Sequence, residues 1–410
     1  MERYDYVIIG GGIAGVTAAE TIRERDKNAT ITIISTEPHV LYSRVLLPYY
    51  LKKRIPREKL FLRTINDFTE KQIDMRLLEE VVGINPEKHE VDLKSGASLL
   101  FKKLLIASGG QAKQWGTAVD QPFLYRLQTI DDADRLMQDF YKIKKAVVIG
   151  SSFIGLEFLE IFTLRKIPVV LLMRDIHFFS KLLDARGGAL MQKNFVKHGI
   201  DVRASEEITT VTPVSDALEV SIKAGREKVS CNAICLGIGI ERSLEFAEKS
   251  GIAVGDMGIK ANEFLETNYA DIFVAGDIAE FYDVLCGTAH VDGNWTNAFL
   301  QGKRAGLAMT GEREAFRNIS SYSITNLGFQ ITAIGECDPH TETVVRMDEE
   351  HNSYVRLFIR NGILAGAVLI NRFSDKLHLA RLIETKSPLA AYRGELDDFR
   401  FDISSIPVIT

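Results

Sequence analysis

The chain opens on an apolar run, Tyr6-Val7-Ile8-Ile9, that ends abruptly in Gly10-Gly11-Gly12. Four apolar residues without a polar interruption mark a strand buried on both faces, as in a parallel sheet. Residues 14–25 then place apolar side chains at helical spacing, and Ile31-Thr32-Ile33-Ile34 gives a second buried strand. Strand, glycine turn, helix and strand together predict a βαβ unit. The succession recurs at Ala146-Val147-Val148-Ile149, the turn 150–155, a helix over 156–165 and a strand over 169–173.

Between the two units the pattern gives short strands within 81–93 and over 99–104. A buried strand, Leu104-Leu105-Ile106-Ala107, runs into Ser108-Gly109-Gly110, and 133–142 has helical spacing. Beyond the second unit, 228–239 is an apolar strand with a glycine pair, and Asp271-Ile272-Phe273-Val274-Ala275-Gly276-Asp277 is a strand, a glycine and a carboxylate. Residues 294–306 read as a helix with small residues spaced for close packing. From about 315 the character changes to alternation, with Val355, Leu357 and Ile359 on one face and Tyr354, Arg356, Phe358 and Arg360 on the other. Asn361-Gly362 predicts a hairpin turn into 363–370, and a helix follows over 374–386. The fold class is α/β: two Rossmann-like three-layer dinucleotide-binding domains and a C-terminal α+β domain.

The glycines carry the chemistry. Gly10, Gly12 and Gly15 complete G-x-G-x-x-G, in which the glycines serve a tight turn, close backbone approach to a pyrophosphate, and helix–strand packing. The helix N-terminus behind them offers N–H groups and a positive dipole end. About 20 residues on, where an acid holds ribose hydroxyls, stands Glu37. The second turn, Gly150-Ser151-Ser152-Phe153-Ile154-Gly155, has Ser152 for the middle glycine, small enough to keep dinucleotide binding as the reading. At the end of its second strand Met173 occupies the acid's place and Arg174 follows, a residue suited to a 2′-phosphate, which favours NADPH and leaves NADH open. Two such folds in one chain mean two dinucleotides, of which one can be a tightly held flavin and the other the arriving reductant.

Several further residues are candidates. Residues 38–48 are too proline-broken for a helix and too apolar for a free loop, which suits a ligand wall. Arg44 within it is a ligand contact or a surface ion pair. Lys52, Lys53, Arg54, Arg57 and Lys59 form a basic cluster of the solvated kind, also a candidate dock for an acidic carrier. Asp277 is placed to accept from a sugar or ribityl hydroxyl or to cap a helix. Trp295, at a helix start, covers a flat ring or packs.

Composition narrows the classes. Of 410 residues, 46% are hydrophobic and 26% charged, the balance of a globular protein of two or three domains. A net charge of −5 argues neither for nucleic acid nor for an anionic membrane as partner, and neither is expected. Met1-Glu2-Arg3 leads straight into the first strand and no apolar run approaches membrane-spanning length, so the expected location is cytoplasmic. The four cysteines, Cys231, Cys235, Cys286 and Cys337, lack C-x-x-C spacing, and no metal site is expected. Cys231 and Cys235 lie on an apolar strand pattern and are expected to pack as small hydrophobes.

Taken jointly, residues 10–15, Leu105 to Gly110, 150–157, 271–277 and Gln301-Gly302-x-x-Ala305-Gly306 resemble the FAD-dependent pyridine nucleotide–disulfide oxidoreductase superfamily over essentially the whole chain. Tyr42-Ser43-Arg44 and the third domain are most similar to the branch of rubredoxin reductases, ferredoxin reductases and nitrite reductase flavoprotein subunits. The resemblance implies an FAD-binding domain in two parts, 1–113 and 242–314, an inserted NAD(P)-binding domain at 114–241, and a C-terminal domain at 315–410. It implies FAD on Gly10, Gly12, Ile13, Ala14, Gly15, Ala107, Ser108, Gly109 and Gly276, with adenosine near Glu37 and Arg44. Asp277 would meet the ribityl chain, and Trp295 and Asn297 the flavin ring. NAD(P) would lie on Gly150, Phe153, Ile154, Gly155 and Arg174, with Glu157 near the nicotinamide as the catalytic residue. The ferredoxin reductases often place a lysine after the arginine to pair with that glutamate; here Tyr49 stands at about that place.

The activity this implies is hydride transfer from NADH or NADPH to FAD, with electrons leaving toward a rubredoxin- or ferredoxin-type carrier or another acceptor. A second class, thiol-dependent flavoenzymes such as coenzyme A disulfide reductase or NADH peroxidase, requires an activated cysteine beside the flavin. No cysteine precedes Cys231, and Cys286 alone is near flavin motifs. A third class is a flavin-bound scaffold or redox-signalling protein. The third domain, which has no ligand fingerprint, suits a homodimer contact or a wall of the flavin site.

Overall fold

The computed structural model describes residues 1–116, 122–214, 217–223 and 226–409. The chain divides into two compact units. One comprises Met1–Leu46, Pro56–Gln111 and Ile240–Asn318; the other comprises Leu47–Ile55, Ala112–Gly239 and Ile319–Thr410.

The first unit is built on a seven-stranded sheet. Ile73–Leu77, Ile31–Ser35, Glu2–Ile9, Ser98–Ile106 and Ile272–Val274 lie side by side and parallel, and Glu90–Leu93 and Val81–Asn85 continue the sheet antiparallel. The register aligns Ile9 with Ile34 and with Ile106, and Ile106 with Val274. Gly10, Ala107 and Ala275 therefore leave the sheet together at its carboxyl edge, beside Ser35 at the end of its strand, where ligands bind in open α/β sheets. Ile8, Ile33 and Leu105 are fully buried, and each such side chain contributes about 1.5–3 kcal/mol through lost apolar surface.

Against this sheet packs the helix Ile13–Arg25, itself covered by the helix Trp295–Met309. Close approach is set by glycine: a Cβ on Gly302 would stand 2.2 Å from the Ala14 carbonyl oxygen, and one on Gly306 2.8 Å from that of Ala18. The buried Arg23 closes the first helix by donating to the carbonyls of Asp26, Lys27, Ala29, Lys71 and Gln72. After Gly276 and Asp277 the chain enters the strand Ala279–Asp283, so of the two alternatives for Asp277 the helix cap does not apply. That strand pairs with Ile259–Ala261 and Thr288–His290.

The second unit has a parallel sheet in the order Asp201–Arg203, Val169–Leu172, Ala146–Ile149, Ala233–Leu236, Leu124–Tyr125. Its register aligns Ile149 with Leu172 and with Leu236, which brings Gly150, Met173 and Gly237 to one edge. A three-stranded antiparallel sheet, Thr210–Val214, Ala217–Ile222 and Glu227–Cys231, shares this core. Residues 319–409 form a five-stranded antiparallel sheet in the order Ser321–Asn326, Phe329–Gly335, Ile363–Ile370, Ser353–Arg360, Glu342–Asp348, with the helix Lys376–Glu384 on one face.

Alternation in the strand Ser353–Arg360 correctly put Val355, Leu357 and Ile359 into that domain's core. The opposite face is buried as well. Tyr354 is fully covered and accepts from the Asp184 N–H, while Arg356 reaches the Leu182 carbonyl. Polar residues on this strand are thus spent on packing within the unit rather than on solvent. The proline rule also misled at 38–48: Leu47–Leu51 is a helix, and Pro48 is tolerated because it sits in the first turn, where an amide hydrogen has no partner to lose. Among the described residues no helix is long and apolar enough to cross a membrane.

Candidate functional site

In the first unit Gly10 adopts φ +117°, and a Cβ there would fall 2.2 Å from the Ala107 carbonyl oxygen; one on Gly15 would fall 2.0 Å from that of Gly10. No side chain fits at either position. Gly12 is different: a Cβ there meets nothing within 4 Å, so open space faces the turn. Gly12 is also the N-cap of the helix Ile13–Arg25, and no side chain caps it. The amides around Ile13 and Ala14 thus face the opening without a side-chain acceptor, the arrangement a diphosphate requires.

Other predicted residues gather at the same sheet edge. Ala107 is buried and donates its N–H to Ile9, Ser108 is exposed, and Gly109 has φ +66°. Gly276, at φ +81°, gives its N–H to Oε1 of the fully buried Gln301 at 2.7 Å, which fixes the turn carrying Asp277. The Asp277 backbone carbonyl accepts from Arg242, while its side-chain carboxylate has no hydrogen bond among the described residues. Burial pushes this carboxyl above the usual aspartate range, and Arg242 and Arg44 draw it back. Asn297, fully buried, donates to the Asp292 carbonyl and accepts from Asn318, whereas Trp295 is half-buried against the core. Glu37 and Arg44 form one ion pair, and Tyr42 donates to the same carboxylate at 2.6 Å. Uncapped amides, an open cradle and an unengaged carboxylate at one sheet edge fit a dinucleotide such as FAD.

In the second unit the closure repeats. Gly150 has φ +105°, with a Cβ position 2.3 Å from the Gly237 oxygen, and a Cβ on Gly155 would lie 2.6 Å from the Gly150 oxygen. Here, however, the Ser152 hydroxyl caps the helix Phe153–Leu164 by accepting from Gly155 N–H at 3.1 Å. Phe153 is engaged by Tyr322 and Phe179, with ring centroids 4.5 and 4.7 Å away, and Ile154 is exposed. Met173 is buried and Arg174 is paired with Glu207 at 2.5 Å. A carboxylate does follow this strand: Asp175, which accepts from Ser151 of the glycine turn and from Ser180.

Glu157 and Glu160 project from this helix into a buried cluster. Lys52, with a side chain 1% exposed, stands 2.7 Å from Glu157 Oε2, contacts Glu160 and donates to Asn326 Oδ1 at 3.2 Å. Glu160 Oε1 accepts from Leu327 N–H at 3.1 Å. Burial raises the Glu157 carboxyl above its usual range and Lys52 opposes the rise. Two expectations are corrected. Lys52 is not part of a solvated basic cluster, and the glutamate does have its lysine, three residues beyond Tyr49, because the helix Leu47–Leu51 delivers it there.

Comparison with known proteins gives the family. A family model, pyridine nucleotide-disulphide oxidoreductase, matches residues 4–302, and rubredoxin NAD+ reductase C-terminal domain matches 323–387. The chain is 28% identical over 387 residues, 93% of its length and 97% of the relative's, to the ferredoxin–NAD(+) reductase component of a 3-phenylpropionate/cinnamic acid dioxygenase from Photorhabdus laumondii. It is 30% identical over 284 residues, 66% of this chain and 62% of the relative, to coenzyme A disulfide reductase of Staphylococcus haemolyticus. A ferredoxin reductase structure from Rhodopseudomonas palustris superposes with a TM-score of 0.87 at 22% identity, covering 97% of this chain and 98% of that one. The chain belongs to the pyridine nucleotide-disulphide oxidoreductase family and is an FAD-dependent NAD(P)H oxidoreductase.

Proposed function

We propose that the chain takes hydride from a nicotinamide dinucleotide onto FAD and passes the electrons on, one at a time, to a small rubredoxin- or ferredoxin-type protein. The observation that carries this reading is the pair of glycine turns, each closed so tightly at its first and last glycine that no Cβ fits there. FAD, when bound, supplies the chemistry of accepting two electrons with a proton and releasing them singly. The residues Gly10, Gly12, Ile13, Ala14 and Gly15 would hold its diphosphate, Glu37 and Arg44 its adenosine, and Ala107, Ser108, Gly109 and Gly276 the chain's approach to it. Asp277 would orient the ribityl hydroxyls, and Trp295 and Asn297 would border the ring.

Gly150, Phe153, Ile154 and Gly155 would receive the nicotinamide dinucleotide, with Glu157 and its partner Lys52 holding charge and proton near the nicotinamide. Arg174 is engaged by Glu207, and Asp175 brings a negative charge to the glycine turn. A carboxylate there suits a ribose diol and repels a 2′-phosphate, so we read NADH as the preferred donor, reversing the expectation drawn from Arg174 alone. A cytoplasmic location, a homodimer and the layout 1–113, 114–241, 242–314 and 315–410 complete the proposal. The carrier's identity in particular rests on the names of relatives and on the match at 323–387.

Anaerobic stopped-flow mixing of the FAD-loaded protein with NADH and NADPH, followed by a panel of one-electron acceptors, tests it. The expected result is fast bleaching of the flavin, faster with NADH, and turnover with an iron–sulfur or rubredoxin-type carrier. Flavin that neither donor bleaches would sink the proposal and favour a scaffold role.

The thiol-class alternative draws support from the similarity to coenzyme A disulfide reductase. Burial, however, pushes the Cys231 thiol up to about 11, the Cys337 thiol up to about 12 and the Cys235 thiol well above its usual value, so none of them forms a ready thiolate. Cys286 is left as the candidate nucleophile, and full turnover in Cys286→Ser would end this reading.

A further inference from the structure

The hairpin formed by Ala279–Asp283 and Thr288–His290 carries a cluster outside the residues assigned above to either dinucleotide. Phe281 pairs with His290 and Asp283 with Thr288, so Asp283 and His290 are diagonal neighbours on one face of the ladder. The turn between the strands folds back tightly. Asp283 Oδ1 accepts from Leu285 N–H at 2.7 Å and Cys286 N–H at 3.4 Å, and the Asp283 carbonyl accepts from Gly287 N–H at 2.7 Å. Gly287 makes this possible with φ +74°. The result returns Cys286 over the strand end, and one ligand atom each from Asp283, Cys286 and His290 lies within 4.8 Å of the other two.

We infer that this hairpin is a site for a thiophilic divalent cation of the zinc class. The donor set is a carboxylate oxygen, a thiolate sulfur and an imidazole nitrogen, which suits Zn²⁺ and excludes Mg²⁺ and Ca²⁺, whose ligands are oxygens. The spacing fits too. Bonds of about 2.0–2.1 Å to nitrogen and oxygen set tetrahedral ligand atoms about 3.4 Å apart. His290 Nε2 is 3.6 Å from Asp283 Oδ2 and 3.5 Å from Asp292 Oδ2, so a second carboxylate stands at the same imidazole. Asp283 is 4% exposed, and its other oxygen is tied down by the turn, which preorganises the first ligand. Sequence spacing alone hides the site, because D-x-x-C-x-x-x-H has neither the paired cysteines nor the paired histidines of a zinc finger.

The cation would pin the hairpin that leads directly into Asp292, Asn294 and the Trp295–Met309 helix. The Asp292 carbonyl already accepts from the Asn294 N–H and from Asn297 Nδ2, so a metal held beside it would stiffen the start of that helix. The proposal does not depend on the identity of the electron acceptor.

The test uses the FAD-loaded full chain, dialysed after exposure to Zn²⁺ or Co²⁺. The expected result is one metal per chain by elemental analysis. The Co²⁺ form should show tetrahedral ligand-field absorption in the red, where oxidised flavin does not absorb. Cys286→Ser and His290→Gln should keep FAD content and lose roughly tenfold to hundredfold in metal affinity, with Cys286→Ser also removing the sulfur-to-cobalt charge-transfer band. Sub-stoichiometric metal in the parent chain overturns the inference, as does metal retention that Cys286→Ser and His290→Gln leave unchanged. Should His290→Gln fail to fold, Cys286→Ser, which removes a single sulfur, decides the question.

Discussion

The two glycine turns share a backbone and differ in what occupies the mouth. In the first, Gly12 leaves the helix start uncapped and open; in the second, Ser152 folds its hydroxyl onto the Gly155 amide and caps the helix itself. A ligand at the first turn satisfies amides that have no side-chain acceptor, whereas a ligand at the second must compete with a cap worth about 1 kcal/mol. The helices behind the turns differ as well. Ile13–Arg25 is packed through small residues against Gly302 and Gly306, while Phe153–Leu164 carries two buried carboxylates held by Lys52. The first turn is suited to a resident group, the second to a ligand that arrives and departs.

The strongest way to break this contrast is to remove the cation that the second helix requires. Lys52→Met leaves Glu157 and Glu160 buried without their ammonium and should cost about 3–5 kcal/mol in urea unfolding, with part of the loss recovered by adding Glu160→Gln. Next come paired alanines. Gly15→Ala drives a Cβ against a backbone oxygen at 2.0 Å and should lower retained FAD by about tenfold or more, read as the flavin-to-protein absorbance ratio. Gly155→Ala, at 2.6 Å, should instead raise the KM for NADH with FAD content kept. If both variants lose FAD equally, the two turns do not divide the labour.

Smaller changes sharpen the comparison. Ser152→Ala should destabilise the second unit by about 1 kcal/mol and Ser152→Gly by only a few tenths, measured by thermal unfolding. The smallest effect is a slope. The folded state holds the Glu157 carboxyl above its usual 4.5, so its contribution to stability is complete below that value and declines as pH rises through the raised one. Glu157→Gln should flatten that decline in urea midpoints as pH rises above 4.5.

What was legible in the sequence was local. Gly10, Gly15, Gly150 and Gly155 could be placed because a strand, a turn and a helix declare themselves within a dozen or so residues, and Asn361-Gly362 fixed a hairpin for the same reason. Lys52 could not be placed, since Glu160 lies 108 residues further along and nothing near Lys52 distinguishes a buried ammonium from a solvated one. Asp175 escaped because the acid was sought at the strand's last position, where the buried Met173 stands. A helix cap, the alternative open for Asp277 beside a sugar or ribityl contact, falls away because a strand follows.

Leu47–Ile55 leaves a unit that owns the chain on both sides of it and joins the other. An engineer who excised the second unit as Ala112–Gly239 with Ile319–Thr410 would leave behind the only counter-charge touching Glu157 within 4.0 Å among the described residues, and would obtain a fragment with two stranded anions in its interior. Grafting this module onto another flavoprotein therefore means transplanting nine additional residues from a distant place in the gene.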